Sequence, residues 1–211
     1  METAHLYQLI AIVIYMVAML LIGWYSFRRT RDLTDYMLGG RSLGPAVTAL
    51  SAGAADMSGW LLMGLPGAIY VSGMVEAWIA IGLTIGAYLN WIFVAPRLRM
   101  YTQVSNDSIT IPSYLENRLK DNTRILRIAS GIIILIFFTF YVSSGMVAGG
   151  VFFESSFNLS YHTGVLIVSV VVIAYTLFGG FLAVSYTDFV QGLIMFLALI
   201  LVPLFGIFLT G

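Results

Sequence analysis

Six stretches of this chain run almost without charge over lengths that match the hydrocarbon core of a bilayer: about residues 6–27, 45–71, 77–95, 125–153, 163–178 and 184–209. A helix needs roughly 20 apolar residues to cross that core. The longest stretch, 125–153, is long enough to cross with tilt. An open strand cannot satisfy its backbone in lipid, so each stretch is expected to be a helix. Composition agrees: 60% of residues are hydrophobic and 9% charged, against roughly 25% charged in a soluble domain. The expected class is an all-α, multi-pass membrane protein with six transmembrane helices. Cysteine is absent, which excludes disulfides, thiolate catalysis and cysteine–metal sites. No basic segment or small-residue cleavage site frames the first apolar stretch, so it is expected to be retained rather than removed as a signal peptide.

Net charge is zero, but its distribution is uneven. Arg28, Arg29, Arg31 and Arg41 lie between the first and second stretches. Arg97, Arg99, Arg118, Lys120, Arg124 and Arg127 lie between the third and fourth, or just inside their ends. These are all ten basic residues. The two loops are two crossings apart, so they share one side, and the positive-inside rule makes that side cytoplasmic. The N-terminus is then expected outside, in a cell inner (plasma) membrane. Membrane lipid is an expected partner; nucleic acid is not. Within the loop at about 98–122, Asp107 to Leu119 reads as a short amphipathic helix on the membrane surface, the bland alternative being an ordinary solvated loop helix.

The second stretch holds the most informative residues. Ser51-Ala-Gly-Ala-Ala-Asp-Met-Ser-Gly-Trp60 places one carboxylate, Asp56, near the middle of 45–71, with no basic residue inside it. A charge at that depth costs several kcal/mol and is rarely kept without an ion partner or a wet cavity. Its neighbours Gly53, Ala54, Ala55, Ser58 and Gly59 are small. Small side chains admit close approach, and glycine and serine lower the cost of leaving the helix. The expected local structure is a helix broken near Ala54–Ser58 around a cation site. The bland alternative is a carboxylate that caps the half-helix that follows.

Several motifs resemble the sodium:solute symporter family. They are Gly39-Gly40-Arg41-Ser42-Leu43-Gly44-Pro45 followed by 51–60, Trp60-Leu-Leu-Met-Gly-Leu-Pro-Gly67, Arg124-Ile-Leu-Arg127, Tyr141-Val-Ser-Ser-Gly145 and Gly179-Gly-Phe-Leu-Ala-Val-Ser-Tyr-Thr-Asp188. They occur in order along nearly the whole chain, and the pattern is nearest to bacterial members that carry proline. The resemblance implies a leucine-transporter-type fold of two inverted five-helix repeats preceded by one extra helix. On that template residues 1–211 supply the extra helix and the first repeat, the N-terminal part of the transmembrane domain, with the second repeat absent. Sites in such folds lie at the repeat interface near the midplane, so half of each site is expected here.

The resemblance also implies roles. Sodium is expected at the backbone carbonyls of Ala54 and Met57, with Asp56 supplying the counter-charge; oxygen ligands suit such a hard cation. Asp56, Ser58, Gly59, Trp60 and Tyr141 are expected at the solute. The Ser58 and Gly59 N–H groups would suit a carboxylate at a half-helix start, Trp60 would wall an apolar pocket, and Tyr141 brings a hydroxyl. Arg41 is an expected inner gate and Asp188 an expected part of the ion exit path. Their ordinary alternatives are a topology-setting arginine and a helix-end carboxylate. Gly145, Gly149 and Gly150 read as close helix packing.

The implied function is sodium-coupled import of a small solute, L-proline foremost. A second class is a symporter-like input domain of a membrane sensor. A third, an intramembrane aspartyl dyad of Asp56 and Asp188, fails on depth, because a close carboxylate pair needs both at one level. The chain is not expected to be an enzyme.

Overall fold

The structure, a computed structural model, describes residues 2–58 and 60–210, with side chains placed for 6–58, 60–61 and 64–209. Every regular element among them is helical, with no strand. The expected all-helical class is borne out. Among the described residues four helices are long and apolar enough to cross a membrane: Leu6–Phe27, Met74–Val104, Ile125–Phe157 and Tyr161–Leu209.

The difference from six stretches has two physical sources. Residues 45–71 do not form one helix. They fold as α3 (Pro45–Asp56), a π-helical turn (Trp60–Gly64) and α4 (Leu65–Ser72), after α1 (Glu2–Phe27) and α2 (Leu33–Leu38). The stretches at 163–178 and 184–209 instead join as α9 (Tyr161–Thr210), bent at Gly180. Between them lie α5 (Ala77–Leu89), a second π turn (Asn90–Val94), α6 (Ala95–Val104), α7 (Ile111–Leu119) and α8 (Ile125–Phe157). Each π turn ends two residues before a proline, Pro66 or Pro96. Proline has no N–H for the carbonyl one turn back and its ring crowds that carbonyl, so the preceding turn widens.

The chain divides into two compact units, one up to Met57 together with Met146 onward, the other Ser58–Gly145. In the first, α1 packs along α9. Met19, Ser26, Ala183, Ser185 and Thr187 are almost fully buried there. Phe27 and Phe178 meet edge to face, and Gln191 Nε2 donates to the Tyr15 hydroxyl at 2.5 Å. Contact is close because glycine meets glycine across it: a Cβ at Gly179 would lie 2.9 Å from the Gly23 carbonyl oxygen, and one at Gly23 would lie 2.7 Å from Tyr175 Cβ. The final turns of α8 meet the start of α9 in the same way.

The bend in α9 needs glycine. Gly180 has φ 59° and ψ −153°, a region that side chains forbid. The Leu177 carbonyl, three residues earlier, accepts from the Tyr36 hydroxyl at 3.2 Å. A side-chain donor thus serves the backbone where the ladder is disturbed.

Gly149 and Gly150 occupy the packed seam expected of them, whereas Gly145 has open space at its Cβ position. This gives a paired prediction. A Cβ at Gly150 would lie 2.6 Å from Val165 Cγ2 and 2.7 Å from a Tyr161 ring carbon. Gly150→Ala is expected to destabilise by about 1–3 kcal/mol through overpacking. Gly145→Ala should stabilise by roughly 0.5–1 kcal/mol, as in an open helix interior. Unfolding midpoints of the two variants in detergent, compared with the parent, check the opposite signs.

In the unit Ser58–Gly145, α7 matches the amphipathic helix expected near 107–119. Thr110 caps it through a reciprocal box with Ser113, and Lys120 closes it in the left-handed region. Glu116 on α7 accepts from Arg127 Nη1 at 3.1 Å. Asp121 organises the start of α8. Its carboxylate accepts from the Thr123 and Leu126 N–H groups at 2.9 and 2.8 Å, and from the Thr123 hydroxyl. The Thr123 hydroxyl first, and these N–H groups, hold the Asp121 carboxyl below the usual carboxylate range. A depressed carboxylate contributes stability that is present above its unfolded pKa and is lost as pH falls through its folded pKa. Amides at 123–126 should therefore lose exchange protection, after correction for intrinsic rates, as pH falls below about 4. In Asp121→Asn that pH dependence should vanish.

Candidate functional site

The helix that begins at Gly44-Pro45 stops at Asp56. Met57 is extended (φ −77°, ψ 128°), and its N–H bonds back to the Gly53 and Ala54 carbonyls at 3.2 Å each. Ser58 is also non-helical, so the break expected within 54–58 is present at Met57 and Ser58. Gly59 lies outside the described residues.

Asp56 is thus the last residue of α3. The C-terminal end of a helix carries partial negative charge from its free carbonyls, so a carboxylate there is unfavourable without a nearby cation. Among the described residues the Asp56 carboxylate makes no hydrogen bond or ion pair. The turn that follows draws instead on Ser58, whose Oγ accepts from the Leu61 N–H at 3.4 Å. What α3 presents at its end is a set of oxygen donors, one carboxylate and the terminal carbonyls. That chemistry suits a hard monovalent or divalent cation.

Beside the break, within the same unit, is a cavity of about 570 Å³. Ala54 and Met57 line it together with Tyr15, Met19, Tyr175 and Gln191, and apolar residues of α8 and α9 complete it. Its polar groups are few, as in a site that orients a small ligand by two or three contacts. Tyr15 and Gln191 escaped notice in the sequence. Each is a polar residue well inside an apolar stretch, which is the signal that marks them. Asp188 belongs to this unit too. Ser51 on α3 donates its hydroxyl to Asp188 Oδ2 at 3.0 Å, which ties the broken helix to the second half of α9. The sequence motif 51–60 includes Ser51 but gives it no role of its own.

The remaining expected site residues fall elsewhere. Arg41 closes the Gly39–Arg41 turn with φ 54° and is exposed. Trp60 opens the π turn of the other unit, half exposed, with its ring along Gly64. Met57 and Ser58, both non-helical, lie between it and α3, so the four-residue helical spacing from Asp56 does not set its direction. Tyr141 is in α8 of that unit, beside the Phe138 ring at 6.2 Å, with its carbonyl accepting from Ser144 Oγ at 2.7 Å.

Comparison with known proteins adds to this geometry. The high-affinity proline transporter PutP of Bacillus subtilis is 69% identical over 193 residues, 92% of this chain and 41% of that protein. The osmoregulated proline transporter OpuE of the same species is 60% identical, over 93% of this chain and 40% of that protein. A sodium/proline symporter of Staphylococcus aureus is 55% identical over 92% of this chain and 38% of its own length. The chain therefore spans about two fifths of the curated relatives it matches. No solved structure matches. The sodium:solute symporter family model matches residues 36–211, and the chain belongs to that family.

Proposed function

We propose that this chain carries part of the ion and solute machinery of a sodium-coupled symporter that imports L-proline or a related small solute. The observation that carries it is the break at Met57–Ser58, with Asp56 at the negative end of α3 and Ala54 and Met57 lining a cavity. Family membership and the names of the three relatives support transport over a sensor input domain.

In this account residues 1–211 correspond to the extra helix and the first five-helix repeat of a leucine-transporter-type fold. The crossings are α1, the broken α3–α4 segment, 77–95, α8 and the two halves of α9. The basic loops face the cytoplasm and the N-terminus lies outside the inner (plasma) membrane. Sodium is cargo, held by the Ala54 and Met57 carbonyls and balanced by Asp56. Ala54 O already accepts from Met57 N–H, and a carbonyl has a second lone pair for the ion. Ser58, Gly59, Trp60 and Tyr141 serve the solute. Arg41 gates the inner mouth, and Asp188, held by Ser51, lies on the exit path. A second repeat completes both sites, as in other inverted-repeat transporters.

The test joins this chain at Gly211 to the remaining length of the Bacillus subtilis PutP relative, in cells that lack proline uptake of their own. Saturable proline uptake that rises with external sodium is the expected result. The 211-residue chain by itself should give none in proteoliposomes, since half a coordination shell binds weakly. Uptake by the joined protein that ignores sodium would refute the coupling, and saturable sodium-dependent uptake by the chain alone would refute the division into halves.

A further inference from the structure

We propose that the pocket at the end of α1 walled by Arg28, Arg29 and Arg31 binds the phosphate headgroup of an anionic phospholipid. The proposal rests on membrane insertion of Leu6–Phe27 and not on the transport reading. That apolar span ends one residue before Arg28, which sets the three arginines at the depth of lipid phosphates. The pocket has a volume of about 370 Å³ and lies within one unit, with Asp35, Ser42 and Tyr186 also on its wall. That is room for a phosphoglycerol group, with the acyl chains left in the bilayer alongside α1.

The cations are held ready. The Arg28 guanidinium lies 3.9 Å over the Trp24 ring and that of Arg29 lies 4.6 Å over the Tyr25 ring. Stacking restricts both side chains before any ligand arrives, which lowers the entropic cost of binding. None of the three guanidinium groups makes an ion pair among the described residues. Asp35 is the carboxylate on the wall, and its Oδ2 accepts the Arg31 backbone N–H at 3.0 Å. Three guanidinium groups against one carboxylate leave a net positive pocket. Planar guanidinium matches phosphate oxygens two at a time. The Tyr186 hydroxyl, with no hydrogen bond among the described residues, adds a neutral donor. Basic groups directly beyond a span, with aromatic neighbours, are the features that select anionic lipid.

The full chain with Trp24 as its single tryptophan (Trp60→Phe, Trp78→Phe, Trp91→Phe) reports on the site. It is reconstituted in phosphatidylcholine vesicles that contain brominated phosphatidylglycerol or, at equal mole fraction, brominated phosphatidylcholine. Quenching should favour the glycerol lipid roughly fivefold at low salt, as expected for one well-placed phosphate contact. The triple Arg28→Gln, Arg29→Gln, Arg31→Gln should bring the ratio near one, and the matching lysine triple should keep most of the preference. If the glutamine triple loses helicity by circular dichroism, Arg31→Gln alone should still drop the ratio about twofold, since Arg31 stacks on no ring. Equal quenching by the two lipids, or a preference untouched by the glutamine changes, would overturn the proposal. Loss of the preference on adding millimolar inorganic phosphate would assign the pocket to a free anion and overturn the lipid as its occupant.

Discussion

Asp56→Asn in the joined transporter is expected to lower sodium-driven proline uptake by about two orders of magnitude. The substitution keeps size and hydrogen-bonding shape but removes the one negative charge at the break. A desolvated cation that loses its counter-charge loses about 3 kcal/mol or more, roughly a hundredfold. The negative end of α3 remains, so a weak cation preference should survive and the sodium concentration for half-maximal uptake should rise. Asp56→Glu keeps the charge one methylene further out and should recover part of the rate. Initial uptake rates over a sodium series, at matched protein levels in the membrane, check this. An Asn variant with the parent's sodium dependence would remove Asp56 from the coupling.

The second large effect is on the fold. Gly180→Leu should destabilise by about 4 kcal/mol, the sum of a glycine-only backbone and a side chain driven into a packed wall. A Cβ at Gly180 would lie 2.7 Å from both the carbonyl oxygen and a ring carbon of Tyr36. Neither can yield freely, because Tyr36 is anchored through its hydroxyl to Leu177. Gly44→Leu is the comparison, since a Cβ there meets nothing within 4 Å. Yield of monodisperse protein and unfolding midpoint in detergent should fall for Gly180→Leu and hold for Gly44→Leu.

Much of this was legible in the residues. Apolar length marked where helices run, and a lone carboxylate among glycine, alanine and serine marked where one stops. The stretches 163–178 and 184–209 read as two helices, whereas the Gly179-Gly180 pair between them bends a single helix; a short loop and a bent helix share that signal. The two π turns were not read, although Pro66 and Pro96 supply their cause, because proline inside an apolar run also fits a simple kink. Long-range pairs were out of reach. Tyr15 and Gln191 are 176 residues apart, Ser51 and Asp188 are 137 apart, and no local period links them. Asp188 was found through its motif, while its partner Ser51, which opens the 51–60 motif, had no role of its own until the packing of α3 on α9 set it against Asp188.

Sodium entry driven by the solute tests the central claim most directly. Membrane vesicles holding the joined transporter are given labelled sodium, first without and then with saturating L-proline. If the cation and the solute meet at the broken helix, proline should accelerate sodium entry, and Asp56→Asn should abolish the acceleration. Proline that enters while sodium influx stays at its basal rate would contradict the account.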